Sequence, residues 1–257
     1  MKQIRSFGTL LPTYSLSEQV SVSTDTVQYD PSCKYKVYVQ LEPPEVLGSN
    51  VQNIIAHQNN FDLILAWHKD ILNNCSKSKR FIFGSCWIDI KNFISEKQNE
   101  VSFLMSNKGF APGHMFRHQV YKKLNGVEKI NGFKIRSIMT PPRIETKDIV
   151  FKHAKFSIII ENAVHENWIT EKFIDCVATK TIPIYYGAPN IGDFFNEKGI
   201  LKFNTIEELN NILNTITPQT YDELSEVIEE NYNKSFQYFD FHERVQEEIN
   251  IFIKSHS

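Results

Sequence analysis

The sequence lacks most of the features that would assign it at a glance. No stretch approaches the roughly 20 apolar residues needed to cross a bilayer; the most apolar run, Phe156 to Ile160, is far shorter. The first residues, MKQIRSFGTLLPTYSLSE, have no continuous apolar core of the secretory type. There are four cysteines, Cys33, Cys75, Cys86 and Cys176, with no C-x-x-C pair and no histidine at zinc-ligand spacing. That pattern argues against a disulfide framework and for reduced thiols in a soluble, cytoplasmic protein. An excess of one charge is missing too: 28 basic and 30 acidic residues leave a formal net charge of -2. No global field would recruit nucleic acid or an anionic membrane, so an anionic small ligand needs a local cluster of donors. No G-x-x-x-x-G-K-[ST] loop and no G-x-S-x-G elbow occurs, which disfavours a P-loop NTPase and a serine hydrolase.

What is present is alternation of strand-like and helix-like segments. Tyr35 to Leu41 reads as a strand ended by Glu42-Pro43-Pro44, and Asp62 to Trp67 and Arg80 to Gly84 follow as further strands. Val101 to Met105 is a strand and His114 to Leu124 a helix. Lys155 to Ile160 is a nearly continuous apolar run, the mark of a parallel strand covered on both faces. Trp168 to Ala178 reads as a helix, Thr181 to Tyr185 as a buried strand, and Thr205 to Leu213 and Tyr221 to Asn233 as helices. A closing amphipathic helix, His242 to Lys254, aligns Phe241, Val245, Ile249 and Phe252 on one face. Such alternation predicts an α/β protein of two Rossmann-like units: a small N-terminal one over 1–98, a second over 99–240, and a closing helix over 241–257.

The densest polar cluster, Glu161-Asn162-Ala-Val-His165-Glu166-Asn167-Trp168-Ile-Thr170-Glu171-Lys172, lies between the strand ending at Ile160 and the helix after it. Ligands of doubly wound sheets bind at the carboxyl ends of strands, beside helix N-termini that present free N–H groups. Asn167 is a candidate N-cap. Lys172 then falls near the first turn, where a cation is disfavoured unless an anion shares the site. A phosphate ligand would supply that anion; a solvated first turn with Lys172 paired to Asp175 is the alternative.

The stretch KFSIIIENAVHENWITEKFIDCVATKTIPIYYGAPNIGDFF, residues 155–195, resembles the donor-binding signature of the α1,3/4-fucosyltransferases, the family 10 glycosyltransferases. Apolar strand, Glu-Asn, variable loop, Thr-Glu-Lys, helix, Pro-Ile-Tyr and Gly-Ala-Pro all occur in order. FLMSNKGFAPGHMFRHQVYKKL, with Arg117, resembles the strand, Ser-Asn loop and helix of the same family, and YVQLEPPEV its acidic segment. The resemblance implies a GT-B architecture, two Rossmann-like domains facing across a cleft, with an acceptor domain first and a donor-binding domain second. It implies an inverting, α1,3-directed transfer of fucose from GDP-fucose to a glycan hydroxyl. By position, Arg117 and Lys172 would bind the diphosphate, Glu171 the ribose hydroxyls, and Asn162 and Trp168 would line the nucleotide pocket. Glu42 would be the general base, with Pro43 where serine is usual and Trp168 where tyrosine is common.

The chemistry agrees with such roles. Departure of the nucleotide leaves charge on the β-phosphate; Arg117 offers a fork and Lys172 a point charge to receive it. No Asp-x-Asp pair is present to hold a divalent cation, so metal and cofactor independence is expected. A hydroxyl attacking carbon needs a base, and Glu42 lies just past a strand end; a surface carboxylate beside a turn is the alternative, with Glu45 the nearest competitor. His68, His165 and Glu166 are lesser candidates for contact with acceptor or donor sugar. A GT-B transferase using another nucleotide sugar, or a non-catalytic sugar- or nucleotide-binding protein of the same fold, remains as a rival reading.

Overall fold

The computed structural model describes residues 5–8, 20–140 and 146–256. The chain divides into two compact units, the first made of Met1–Phe83, Glu166–Trp168 and Asp240–Ser257, the second of Gly84–His165 and Ile169–Phe239.

The first unit is a parallel five-stranded sheet laid down in sequence order: β1 (Arg5–Gly8), β2 (Val20–Thr24), β3 (Tyr35–Val39), β4 (Leu63–Ala66) and β5 (Ser78–Arg80). Because right-handed crossovers that always advance the same way place their helices on one face, the other face needs a separate cover. Helices α1 (Pro44–Leu47), α2 (Asn50–His57) and α3 (Lys69–Asn74) lie along the crossovers. Tyr38, Ile64 and Ala66 pack with Val51 and Ile54 of α2 and Ile71 of α3. Their neighbours one residue away, Val37, Val39, Leu63 and Leu65, face the opposite way onto Phe241, Val245 and Ile249 of the closing helix, here called α10 (Phe241–Ser255). The apolar stripe of α10 is completed by Ile253, with Phe252 only half-buried on its flank. Steps of four throughout, rather than four, four and three, fix that face.

One strand expectation shifts. Arg80 to Gly84 is not a strand: the pairing with β4 is made by Ser78–Arg80, and Phe81 to Phe83 are core residues of the segment that follows. Strand β2 is fully buried although three of its five residues are serine or threonine. Its hydroxyls are used internally, Ser21 Oγ accepting from the Asp30 N–H at 2.9 Å and Ser23 Oγ donating to the Gln28 carbonyl.

The second unit is a six-stranded sheet in the order β11-β10-β9-β6-β8-β7, parallel except for the β7–β8 hairpin. The strands are β6 (Gln98–Ser106), β7 (Lys129–Ile130), β8 (Phe133–Thr140), β9 (Ala154–Ile160), β10 (Ile182–Tyr186) and β11 (Leu201–Lys202). Helices α4 (Pro112–Leu124), α5 (Asp148–Phe151), α6 (Glu171–Ala178), α7 (Ile206–Thr215), α8 (Pro218–Glu223) and α9 (Ser225–Ser235) connect or cover them. From β6 the chain passes to β8 on one side, then crosses to β9 on the other. The winding therefore reverses between β6 and β9, and the carboxyl ends of those strands flank a crevice of the kind in which α/β sheets bind ligands.

Candidate functional site

Helix α4 enters this crevice at an unusually close approach. The Gly113 N–H donates to the Asn162 carbonyl at 2.9 Å, and a Cβ on Gly113 would overlap the Glu161 carbonyl oxygen outright. Only glycine permits that docking. One helical turn later Arg117 reaches the end of β9: Nε donates to the Ile160 carbonyl at 2.9 Å, and Nη2 donates to the same carbonyl and to Asn162 Oδ1 at 2.9 Å. Arg117 is buried, and Nη1 is left with no partner among the described residues. His114, on the first turn, accepts the Ala111 N–H through Nδ1 at 3.2 Å. Burial first, then the Arg117 charge, pushes its imidazole down to about 4, so it is neutral at pH 7.

The loop from β9 to α6 differs from expectation. Asn167 has φ 63 and donates through Nδ2 to the Trp67 carbonyl at 3.2 Å; it does not cap the helix. Helix α6 starts three residues after Trp168, at Glu171, and its N-cap is Thr170, whose Oγ1 accepts the Lys172 N–H at 3.3 Å. The Thr170 hydroxyl and N–H both donate to Glu161, a fully buried carboxylate, at 2.8 to 3.1 Å.

Five charges of alternating sign then run in a chain through the crevice. Asp175 meets Lys147 at 2.8 Å, Lys147 meets Glu171 at 3.5 Å, Glu171 meets Lys172 at 3.2 Å, and Lys172 meets Glu161 at 3.5 Å. The pairing of Lys172 with Asp175 is not made. Lys172 tolerates the first turn of α6 because Glu161 and Glu171 flank it, so the anion its position called for is supplied by the protein itself. Burial acts to raise the Glu171 carboxyl, and the Lys172 and Lys147 ammonium groups outweigh it, holding that group down at about 2. Glu161 and Asp175 go the other way: burial raises both, Asp175 to about 6 despite Lys147.

These side chains border a cavity of about 260 Å³. Its floor is formed by the ends of β6, β8 and β9, with Arg117, Lys147, Glu171 and Lys172 among its walls. Of the residues expected at a donor site, the structure thus brings Arg117, Glu171 and Lys172 together, with Asn162 held against Arg117. Trp168 belongs to the first unit. Its ring stacks on Phe83 at 5.6 Å and 10° and lies 4.7 Å from the Trp67 ring, in the core of the first unit. Glu42 also belongs to the first unit, half-buried just beyond the carboxyl end of β3. Its N–H and that of Leu41 donate to Asp25 at 3.0 and 2.9 Å, while its carbonyl accepts from Asn50 Nδ2 at 2.9 Å. His68 is a structural cap: its Nδ1 accepts the Asp70 N–H at the start of α3.

With the crevice, its cations and the strand-end geometry in place, the family follows from comparison. A model of the glycosyltransferase family 10 (fucosyltransferase) C-terminal region matches residues 94–252, more than half of the chain. The chain belongs to that family. Among curated proteins it is similar to the α-(1,3)-fucosyltransferase FucT of Helicobacter pylori, 28% identical over 120 residues, covering 47% of this chain and 24% of that protein. It is also similar to an α-(1,4)-fucosyltransferase of Arabidopsis thaliana, 37% identical over 60 residues, covering 22% of this chain and 15% of that one. The matched region thus spans a quarter or less of these curated relatives. A crystal structure of an α1,3-fucosyltransferase with GDP-fucose superimposes with a TM-score of 0.56 at 17% identity, over 94% of this chain and 78% of that one. The GT-B fold class expected of this family 10 member is thereby shown.

Several site residues of the family 10 chain were not legible beforehand. Lys147 follows a stretch with no strand or helix signal, and nothing in its neighbours marks it as a cavity cation. Gly113 was visible only as part of A-P-G-H, a turn-like string; its necessity appears once β9 lies against it. Asp25, which secures the loop carrying Glu42, is a single acidic residue in a Ser/Thr-rich segment, with no spacing to betray it.

Proposed function

We propose that this protein is an inverting glycosyltransferase that moves fucose from GDP-fucose to a hydroxyl of a glycan acceptor, in the α1,3 sense, without a metal ion. In this reading the second unit, 84–165 and 169–239, binds the donor and the first binds the acceptor. The observation that carries it is the convergence of Arg117 and Lys172 on a cavity at the reversal point between β6 and β9.

The proposed reaction assigns each group a task. The Nη1 edge of Arg117 and the Lys172 ammonium receive the charge that grows on the diphosphate as the bond from the fucose anomeric carbon to the β-phosphate oxygen breaks. Asn162, fixed by Arg117, borders the nucleotide, and the ionised Glu171 accepts from the ribose hydroxyls. Glu42 takes the proton of the acceptor hydroxyl as its oxygen attacks the anomeric carbon from the face opposite the leaving group. The electron pair of the broken bond leaves with GDP, so the anomeric configuration inverts in one displacement. Two cations already in place supply the neutralisation that a divalent ion provides in other transferases, and this supports metal independence.

The test is donor turnover with a panel of GDP- and UDP-sugars, in buffer with and without a chelator. GDP-fucose is expected to be consumed at the same rate in both. Arg117→Ala and Lys172→Ala should each cost on the order of 10²-fold in kcat. Turnover confined to UDP-sugars, or activity abolished by the chelator, would overturn the proposal.

A further inference from the structure

Among the described residues, Lys147 is the one cavity cation to which the scheme above gives no task. Its ammonium is fixed on three sides, by Asp175 Oδ2 at 2.8 Å, by Glu171 Oε1 at 3.5 Å and by the Trp87 ring, 4.2 Å from the centroid. Trp87 holds the arrangement twice, because its backbone N–H also donates to the other oxygen of Asp175 at 2.6 Å. Trp87 is 61% exposed, and it borders the cavity together with Lys147 and Glu171. Glu171 faces the cavity with a lysine on either side of it. Lys172 alone cannot fix the carboxylate, because that ammonium is shared with Thr170 Oγ1 at 3.1 Å and with Glu161. The second anchor, Lys147, takes away the remaining freedom. A half-buried ammonium held between two carboxylates is costly to assemble; both carboxylates border the cavity, and Glu171 is the one to which the scheme gives a ligand contact.

We propose that Lys147 is a positioning residue for the donor: it sets the orientation in which the Glu171 carboxylate receives the ribose hydroxyls. The inference rests on the ribose role given to Glu171 above. It makes Lys147 a determinant of selection for a ribonucleotide rather than a phosphate contact, and it assigns Trp87 and Asp175 the task of holding Lys147.

The two roles separate in a binding experiment with GDP and with 2′,3′-dideoxy-GDP, which lacks both hydroxyls, by calorimetry on the full chain. Lys147→Met is expected to weaken GDP about tenfold, the scale of one hydrogen bond to a charged group, and to leave 2′,3′-dideoxy-GDP unchanged, so the preference for the ribonucleotide collapses. Lys147→Arg should restore the preference. Should Lys147→Met fail to fold, Lys147→Gln, which can still donate a hydrogen bond to Asp175, is read in the same way. Equal weakening of both nucleotides, or no change in either, overturns the proposal. Glu171→Gln serves as the reference: if it retains the ribonucleotide preference, the ribose reading of Glu171 is itself wrong. If it loses the preference while Lys147→Met keeps it, only the role of Lys147 is refuted.

Discussion

Replacing Gly113 by alanine tests the packing on which the whole site depends. The added methyl would lie 2.8 Å from the Glu161 carbonyl carbon and 2.9 Å from that of Asn162, and closer still to the Glu161 oxygen. Ordinary carbon–carbon contact lies at about 3.5 to 4.0 Å, so α4 must retreat from β9 by roughly 1 Å. The obstacle is backbone at the end of a buried strand, which cannot rotate away as a side chain would. Overpacking of this kind costs about 1–3 kcal/mol, opposed by up to about 1 kcal/mol of helix propensity gained in exchanging glycine for alanine. A net loss near 1–2 kcal/mol would lower Tm by about 2–8 °C for a chain of this size. The functional effect should exceed the stability effect. Arg117 moves with α4, its 2.9 Å bond to Ile160 opens, and a misplacement near 1 Å can cost about 10²-fold in rate. The assay pairs thermal unfolding by circular dichroism with GDP-fucose turnover at a temperature where both proteins are folded. Gly109→Ala is the control, since its methyl meets nothing nearer than Met115 Sδ at 3.8 Å. A Gly113→Ala protein with parental Tm and parental turnover would refute the account of how α4 is seated.

Three further outcomes are expected. Thr170→Val removes the cap of α6 and the hydroxyl donor that both oxygens of buried Glu161 share; loss of the cap alone costs about 1 kcal/mol, and urea unfolding should show at least that, with Thr170→Ser close to the parent. Asp175, facing Lys147, Glu171, Cys86 and the Trp87 N–H, is pushed up to about 6 by burial, partly offset by Lys147. An anionic donor bound nearby raises it further, so binding takes up protons: the Kd for GDP-fucose should tighten as pH falls from 8 to 6, by at most about tenfold per unit, and Asp175→Asn should flatten the profile. A pH-independent parental Kd would dismiss that linkage. Asp25→Gly keeps the positive φ of that residue but releases the Leu41 and Glu42 N–H groups; kcat should fall while GDP affinity holds, and unchanged kcat would separate Asp25 from the positioning of Glu42.

The sequence by itself determined the local, periodic features. An apolar run such as Lys155 to Ile160 has few options besides a doubly covered strand, and β9 is where it was expected. The cluster from Glu161 to Lys172 was also visible, because charged residues bracketed by buried elements stand out at single-residue resolution. Tertiary structure decided what spacing cannot encode. Whether Thr170 or Asn167 capped α6 depended on the buried Glu161 oxygens that hold Thr170. Strand β2 became core because its serine hydroxyls found partners in a turn several residues away. Lys172 was matched with Asp175 by helix spacing, yet Asp175 pairs with Lys147, which is distant in sequence and brought near only by the folded sheet. Periodicity along a chain is a property of neighbours within a turn or two. Charge pairing in a buried crevice is settled by which elements meet there, because desolvation favours arrangements in which buried charges face opposite ones.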